Sequence, residues 1–194
     1  QNVNRGRILG LGIGASGLVN FHTGVNIQAA NFGWHDVPMR DWLQSLLQID
    51  VVVDNNVRCM VLGEGLFGAG RGLNSLVFVY GRFGVGAGIM MDGKVVRGSR
   101  LGAGEIGHTI VIPDGGTECR CGQSGCLEPL VSEPSLEAQA IAAMKRHPGS
   151  ILESCMLDES QPRPVKRLFN AYRQADPWAM ALFDTSIDYL GIAL

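Results

Sequence analysis

Three cysteines fall within the eight positions 119–126, and this clustering constrains the fold more than any other feature of the sequence. The segment reads Cys-Arg-Cys-Gly-Gln-Ser-Gly-Cys, and His108 precedes it by one loop. Three thiolates and one imidazole make a complete tetrahedral ligand set, which is typical of a structural zinc site. Free thiols and an intramolecular disulfide are the two alternative readings. We predict structural zinc bound by His108, Cys119, Cys121 and Cys126.

Composition and charge argue against several classes of function. The chain has 194 residues, with 16 Lys and Arg against 18 Asp and Glu, so it lacks the broad basic field of a nucleic-acid-binding surface. No apolar stretch approaches the roughly 18 residues that a membrane span needs. The sequence does not open with a secretory signal pattern, so a reducing, cytoplasmic location is expected. Cys59 is then expected to be a small buried apolar residue, and Cys155 either the same or a surface thiol.

Strand and helix patterns alternate along the chain and predict an α/β protein of two lobes. Residues 1–72 are expected to form the remainder of a first lobe, and residues 73–194 a second lobe with the zinc loop and C-terminal helices. The predicted strands cover residues 8–13, 51–53, 76–80 and 105–112, with hairpins turning at residues 23–24 and 92–93. The predicted helices follow Pro38 and cover residues 57–67, 135–145, 165–174 and 177–194. Both ends look cut, so we expect a piece of a longer protein.

Several motifs together resemble the ROK family of bacterial sugar kinases and sugar-responsive repressors. They are Gly104-Glu105-Ile106-Gly107-His108, the Cys-x-Cys-Gly-x-x-Gly-Cys-Leu-Glu run of residues 119–128, Leu62-Gly63-Glu64 after an Asp-Asn-Asn turn, Gly12-Ile13-Gly14-Ala15-Ser16-Gly17 and Asn31-x-x-Trp34. The resemblance runs through the whole chain, and the cysteine motif is its specific part. It implies an actin-like (ribonuclease H-like, ASKHA) two-lobed α/β fold, truncated at both ends.

The resemblance also implies a monosaccharide site in the cleft between the lobes. The residues that match the family's sugar contacts are Asn31, Asn55, Asn56, Glu105, His108 and Glu128. Carboxylates and amides suit this role because each can meet the donor and acceptor of neighbouring sugar hydroxyls. Asn55 and Asn56 are equally suited to capping the helix that follows them. For His108 the resemblance implies two roles, with one ring nitrogen on zinc and the other toward the sugar.

Two departures from the kinase pattern argue against sugar phosphorylation. ROK kinases carry an Asp as general base where this chain has Asn56, and an amide does not take up a proton at that step. Asp54 is displaced by two residues, roughly 3.3 Å each along a strand, which is too far for the same role. The Thr of the kinase phosphate loop is replaced by Phe83, whereas the other phosphate loop, Asp-x-Gly-x-Thr, would lie before Gln1 and does not bear on this choice.

These features favour the sugar-sensing effector module of a ROK-type transcriptional repressor, without catalytic residues. Such a module is expected to form a homodimer or higher homo-oligomer and to reach DNA only through an upstream winged helix-turn-helix that this chain lacks. The main alternative is an ATP-dependent kinase for glucose or N-acetylhexosamine-type sugars, which would use ATP and Mg²⁺. A third reading is a zinc-stabilised binding module without sugar affinity.

Overall fold

The computed structural model describes residues 5–194, which divide into two compact units. Unit 1 holds the residues up to Tyr80 together with Gly86–Glu105, and unit 2 holds Gly81–Val85 and Ile106–Leu194. Residues 1–4 of the first predicted lobe lie outside the described residues, and the lobe boundary at residue 72 stays a prediction.

Two parallel strands form the centre of unit 1. Strand β1 (Leu11–Ala15) pairs with β5 (Val51–Asn55), so that Ile13 lies opposite Val53. Side chains alternate across a strand, and β5 accordingly buries Val51 and Val53 on one face while Val52 is exposed on the other. An antiparallel sheet of β2 (Leu18–Asn20), β3 (Val25–Ala29) and β4 (Trp34–Val37) and helix α1 (Met39–Leu47) complete this part of unit 1.

Helix α2 (Asn56–Phe67) begins directly at the end of β5. The Asn55 side-chain oxygen accepts hydrogen bonds from the backbone N–H groups of Val57 and Arg58 at 2.9 and 3.1 Å, which is a standard N-cap. A three-stranded sheet of β6 (Leu76–Gly81), β7 (Val85–Met91) and β8 (Lys94–Val95) follows in the chain. Gly88 of β7 lies so close to α2 that an added Cβ would come within 2.6 Å of the Val61 side chain.

Unit 2 has a helical core of its own. Its helices are α3 (Glu128–Val131), α4 (Glu133–Arg146), α5 (Ile151–Met156), α6 (Pro164–Arg173) and α7 (Pro177–Ala193). The four helices α4, α5, α6 and α7 all contribute buried side chains to this core, which are Leu136, Ala140, Ala143, Leu152, Met156, Leu168, Ala171 and Ala179. Small residues at half of these positions allow the helices to approach closely.

The structure confirms most of the predicted elements and corrects others. Both hairpins, β5, β6, α1, α2, α4, α6 and α7 are present close to their predicted bounds, whereas β1 begins at Leu11 rather than at residue 8. The predicted strand over residues 105–112 is wrong, because a 3₁₀ turn at Ile106–His108 occupies its first half. Helices α3 and α5 were not predicted. None of the helices in residues 5–194 is long and apolar enough to span a membrane.

Candidate functional site

The four predicted metal ligands come together in unit 2. The ligand atoms of His108, Cys119, Cys121 and Cys126 all lie within 4.8 Å of one another. Cys119 Sγ is 3.6 Å from His108 Nδ1, and the Sγ atoms of Cys121 and Cys126 are 3.7 Å apart. The thiols are unbonded to one another, so the disulfide alternative is not what the structure contains.

Two of these separations match those of a tetrahedral metal site, whereas the set as a whole extends to 4.8 Å. Zinc–sulfur bonds of about 2.3 Å and zinc–nitrogen bonds of about 2.0 Å, at tetrahedral angles, separate two sulfurs by about 3.8 Å and sulfur from nitrogen by about 3.5 Å. The observed separations of 3.7 and 3.6 Å match both values. The cluster can therefore hold a metal ion such as zinc, with Nδ1 as the imidazole ligand atom.

The loop is folded around the cluster by backbone hydrogen bonds and by glycine. The Cys119 N–H donates to the Gln123 carbonyl at 2.7 Å, and Ile110 forms a bridge to Cys126 that closes the loop at its base. Gly125 has φ of +78°, and an added Cβ would lie 1.8 Å from the Ile112 carbonyl oxygen. Only glycine therefore fits at this position.

Burial and the closeness of the three cysteines change how readily each thiol loses its proton. Burial and the neighbouring thiols Cys121 and Cys119 raise the pKa of Cys126 to about 12, and burial also raises the pKa of Cys119. At Cys121 burial raises the pKa, but hydrogen bonds from the Gln123 backbone and the other thiols outweigh it, and the net direction is down. Three adjacent thiolates repel one another, whereas a dication would favour all three charges.

Glu128 leaves the cysteine loop as the first residue of α3. Its Oε2 accepts a hydrogen bond from the backbone N–H of Val85 at 3.0 Å. Gly84 permits this contact, because an added Cβ there would lie 3.0 Å from the same oxygen. Glu128 also lines a cavity of about 460 Å³ in unit 2, together with Phe83 and Gln139. His108 ends the 3₁₀ turn in this unit rather than the predicted strand.

The other predicted sugar contacts belong to unit 1. Asn55 is buried. Besides its capping bonds, its Nδ2 donates to the Gly17 carbonyl at 2.9 Å, so three hydrogen bonds of this side chain stabilise the fold. Asn56 is half-buried and opens α2. Asn31 lies in the exposed turn after β3, and Glu105 lies just before the 3₁₀ turn. Their roles as sugar contacts stay predictions.

Asp54, the carboxylate next to the predicted site, is held by two arginines. Its Oδ1 contacts Arg58 Nε at 3.1 Å and accepts the Asn55 N–H at 2.8 Å. Its Oδ2 accepts from both Nε and Nη2 of Arg97, at 3.0 and 2.8 Å. Neither arginine was predicted from the sequence as part of the site. The spacing of Asp54 and Arg58, four residues apart, was a usable signal for one of them.

Fold and site together define an α/β protein with a His-Cys₃ cluster that could hold a metal ion. The chain belongs to the ROK family, whose family profile matches residues 1–194. This confirms the family resemblance and, with it, the actin-like two-lobed fold class.

Both functional branches of the family are found among the relatives. The glucokinase of Halalkalibacterium halodurans is 36% identical over 187 residues, which is 96% of this chain and 56% of that protein. The xylose repressor of Caldicellulosiruptor bescii is 38% identical over 129 residues, 66% of this chain and 32% of that protein. The chain thus spans about half the length, or less, of these curated relatives.

A solved structure shows the same fold. A ROK family transcriptional regulator, a homologue of the E. coli Mlc protein, superposes with a TM-score of 0.82 at 29% identity, covering 96% of this chain and 46% of that chain. The relatives include regulators and kinases alike, so family membership does not decide between these functions. The choice depends on the residues of the site.

Proposed function

We propose that this chain is the sugar-binding effector part of a ROK transcriptional regulator and that it does not phosphorylate its sugar. The observation that carries the proposal is the environment of residues 54–56. The position that corresponds to the kinase base is the amide of Asn56, and the adjacent carboxylate of Asp54 is bound by Arg58 and Arg97. Neither side chain is arranged to take a proton from a sugar hydroxyl.

General base catalysis requires a group that can accept a proton at hydrogen-bond distance from the reacting hydroxyl. Asp54 would have to leave contacts with Arg58, Arg97 and the Asn55 N–H to do so. Charge-assisted hydrogen bonds of this kind are the strong ones, so the rearrangement is costly. Phe83 supports the same proposal, since it brings no hydroxyl to the glycine turn before β7.

Zinc is the metal we propose for the cysteine loop. A closed set of three thiolates and one imidazole suits zinc, and it leaves no open coordination position for substrate. When bound, the metal would supply structural order rather than chemistry. His108 and Glu128 flank the loop, and both are among the proposed sugar contacts, as are Asn31, Asn55, Asn56 and Glu105.

As a regulator, the whole protein would act by a shift between conformations of a homodimer. A sugar that binds one arrangement better than another changes the populations by its difference in affinity. We propose that a DNA-binding segment outside this chain carries the response to DNA.

A kinase is the second candidate, and one observation favours it: the glucokinase relative aligns over 96% of this chain. Both functions predict sugar binding, so phosphoryl transfer separates them. The measurement is calorimetric titration of the protein with hexoses, amino sugars and pentoses, followed by a coupled assay with each binding sugar and Mg-ATP.

We expect heat with one of these sugars and no phosphorylated product. Turnover near the 1–100 s⁻¹ that is roughly usual for kinases would overturn the regulator proposal. Absence of heat with every sugar would overturn sugar sensing itself. The variant Asn56→Asp tests the missing base, with Asn170→Asp on the exposed face of α6 as the matched control for the added charge.

A further inference from the structure

Unit 1 contains a cavity that the proposed sugar contacts do not line. Its volume is about 510 Å³, and it is bounded by the strands β1 and β5, by α2 and by the segment after β8. The lining is mostly glycine and apolar side chains. Its polar and aromatic lining residues are Phe21, Asp54, Arg58, Cys59 and Arg97.

Arg58 has an unsatisfied donor in this environment. Its side chain is 3% exposed, its Nε contacts Asp54, and its Nη2 donates to the Val19 carbonyl at 3.1 Å. Within residues 5–194 the third nitrogen, Nη1, has no hydrogen-bond partner. A buried guanidinium nitrogen without an acceptor is unfavourable, and each one in a native protein calls for an explanation.

The second guanidinium is fixed in place. Arg97 donates from Nε and Nη2 to Asp54 Oδ2, and its guanidinium stacks on the Phe21 ring with 3.9 Å between Cζ and the ring centroid. These contacts pre-organise the charge of Arg97 beside the cavity rather than leaving it mobile in solvent.

The charges of the lining do not balance. Two guanidiniums share the single carboxylate of Asp54. Partial burial raises the pKa of Cys59, which is otherwise exposed, so this thiol adds no negative charge near neutral pH. Glu105 also favours the charged form of Arg58, but it is not among the residues that line the cavity. The cavity wall itself thus carries an excess of one positive charge in a largely apolar setting.

We propose that this cavity binds the oxyanion group of a small ligand, a carboxylate or a phosphate, with Arg58 Nη1 as a donor. An oxyanion would satisfy the open nitrogen and balance the excess charge at once. Arginine suits this role because its planar fork matches the geometry of carboxylate and phosphate oxygens. The inference does not depend on whether the protein senses or phosphorylates a sugar.

Inorganic phosphate and acetate are the probes, and chloride at equal ionic strength is the reference. In calorimetry with the whole chain, we expect at least one of the two oxyanions to bind at one site while chloride does not. The variant Arg58→Lys keeps the charge beside Asp54 but removes the donor fork, and we expect about tenfold weaker binding. Arg100→Lys, on an exposed residue outside the cavity, should bind as the unmodified protein does.

A second measurement needs no variant and covers the case in which Arg58→Lys does not fold. Cys59 lines the cavity and is exposed rather than buried as predicted from the sequence, so N-ethylmaleimide should modify it, and the bound oxyanion should slow that reaction. Peptide mass analysis follows Cys59, with Cys155 as the internal control. Equal protection by chloride, no protection at all, or unchanged binding in a folded Arg58→Lys protein would each overturn the proposal.

Discussion

Asp176 shows how much of unit 2 depends on one side chain. It is 1% exposed and lies just before α7, where its Oδ1 accepts the N–H groups of Trp178 and Ala179 at 2.9 and 3.0 Å. Its Oδ2 accepts the N–H of Leu152 in the first turn of α5, also at 3.0 Å. One carboxylate therefore satisfies the open backbone donors of two helices.

The variant Asp176→Ala should destabilise unit 2 because it leaves three N–H groups, two of them buried, without acceptors. We expect a loss of about 2–3 kcal/mol in the free energy of unfolding, measured by urea denaturation. Asp184→Ala is the matched control, since Asp184 is exposed in the middle of the same helix. Equal stability of the two variants would contradict the capping role of Asp176.

Among the elements, the cysteine loop offers a comparison of two glycines with positive φ. Gly122 has φ of +88° with open space around an added Cβ, whereas Gly125 has φ of +78° and no space. Gly122→Ala should cost only the left-handed strain of about 1–2 kcal/mol and keep the metal. Gly125→Ala should lose the metal, because the loop must open to relieve the clash with Ile112. Metal content per chain, measured by atomic absorption, tests this, and a fully loaded Gly125→Ala protein would contradict it.

Elements set by local signals were predictable from the sequence. The Asn55 cap and the terminal glycines bounded α2, and Asp92-Gly93 marked the hairpin of β7 and β8. The strand over residues 105–112 was wrongly predicted from an alternating pattern, which is formed by Ile106, His108, Ile110 and Ile112. Close packing of Gly107 against the Val85 carbonyl, where an added Cβ would come within 2.4 Å, is a long-range contact that the alternation does not contain.

Part of the candidate site was likewise predictable from the sequence, and part of it was not. The clustering of the four candidate metal ligands was predictable because three of them lie within eight positions of the sequence and their chemistry is specific. Arg97 was not, because it meets Asp54 across 43 positions and its pairing depends on how β8 lies in unit 1. The double role of Asn55 as cap and as donor to Gly17 likewise needed the structure.

At the scale of the whole molecule, the metal loop and the helical core of unit 2 are separate parts. The core side chains of α4–α7 include none of the metal ligands. The loop is closed at its base by the hydrogen bond from the Leu127 N–H to the Thr109 carbonyl at 3.0 Å, directly between His108 and Glu128. A metal ion bound in this loop would therefore order the two flanking side chains without supporting the helices.

Removal of the metal should therefore weaken binding of the sugar before it unfolds the protein. Loss of the ion removes the metal bond at His108 Nδ1, and the three crowded thiols can then no longer all ionise, so the loop and its flanks should lose their fixed geometry. After chelation we expect helical circular dichroism to persist and sugar affinity to fall by about tenfold or more, and zinc should restore it. Metal-free protein that binds its sugar with unchanged affinity would contradict the link between metal and function, even if the four ligands are correctly assigned.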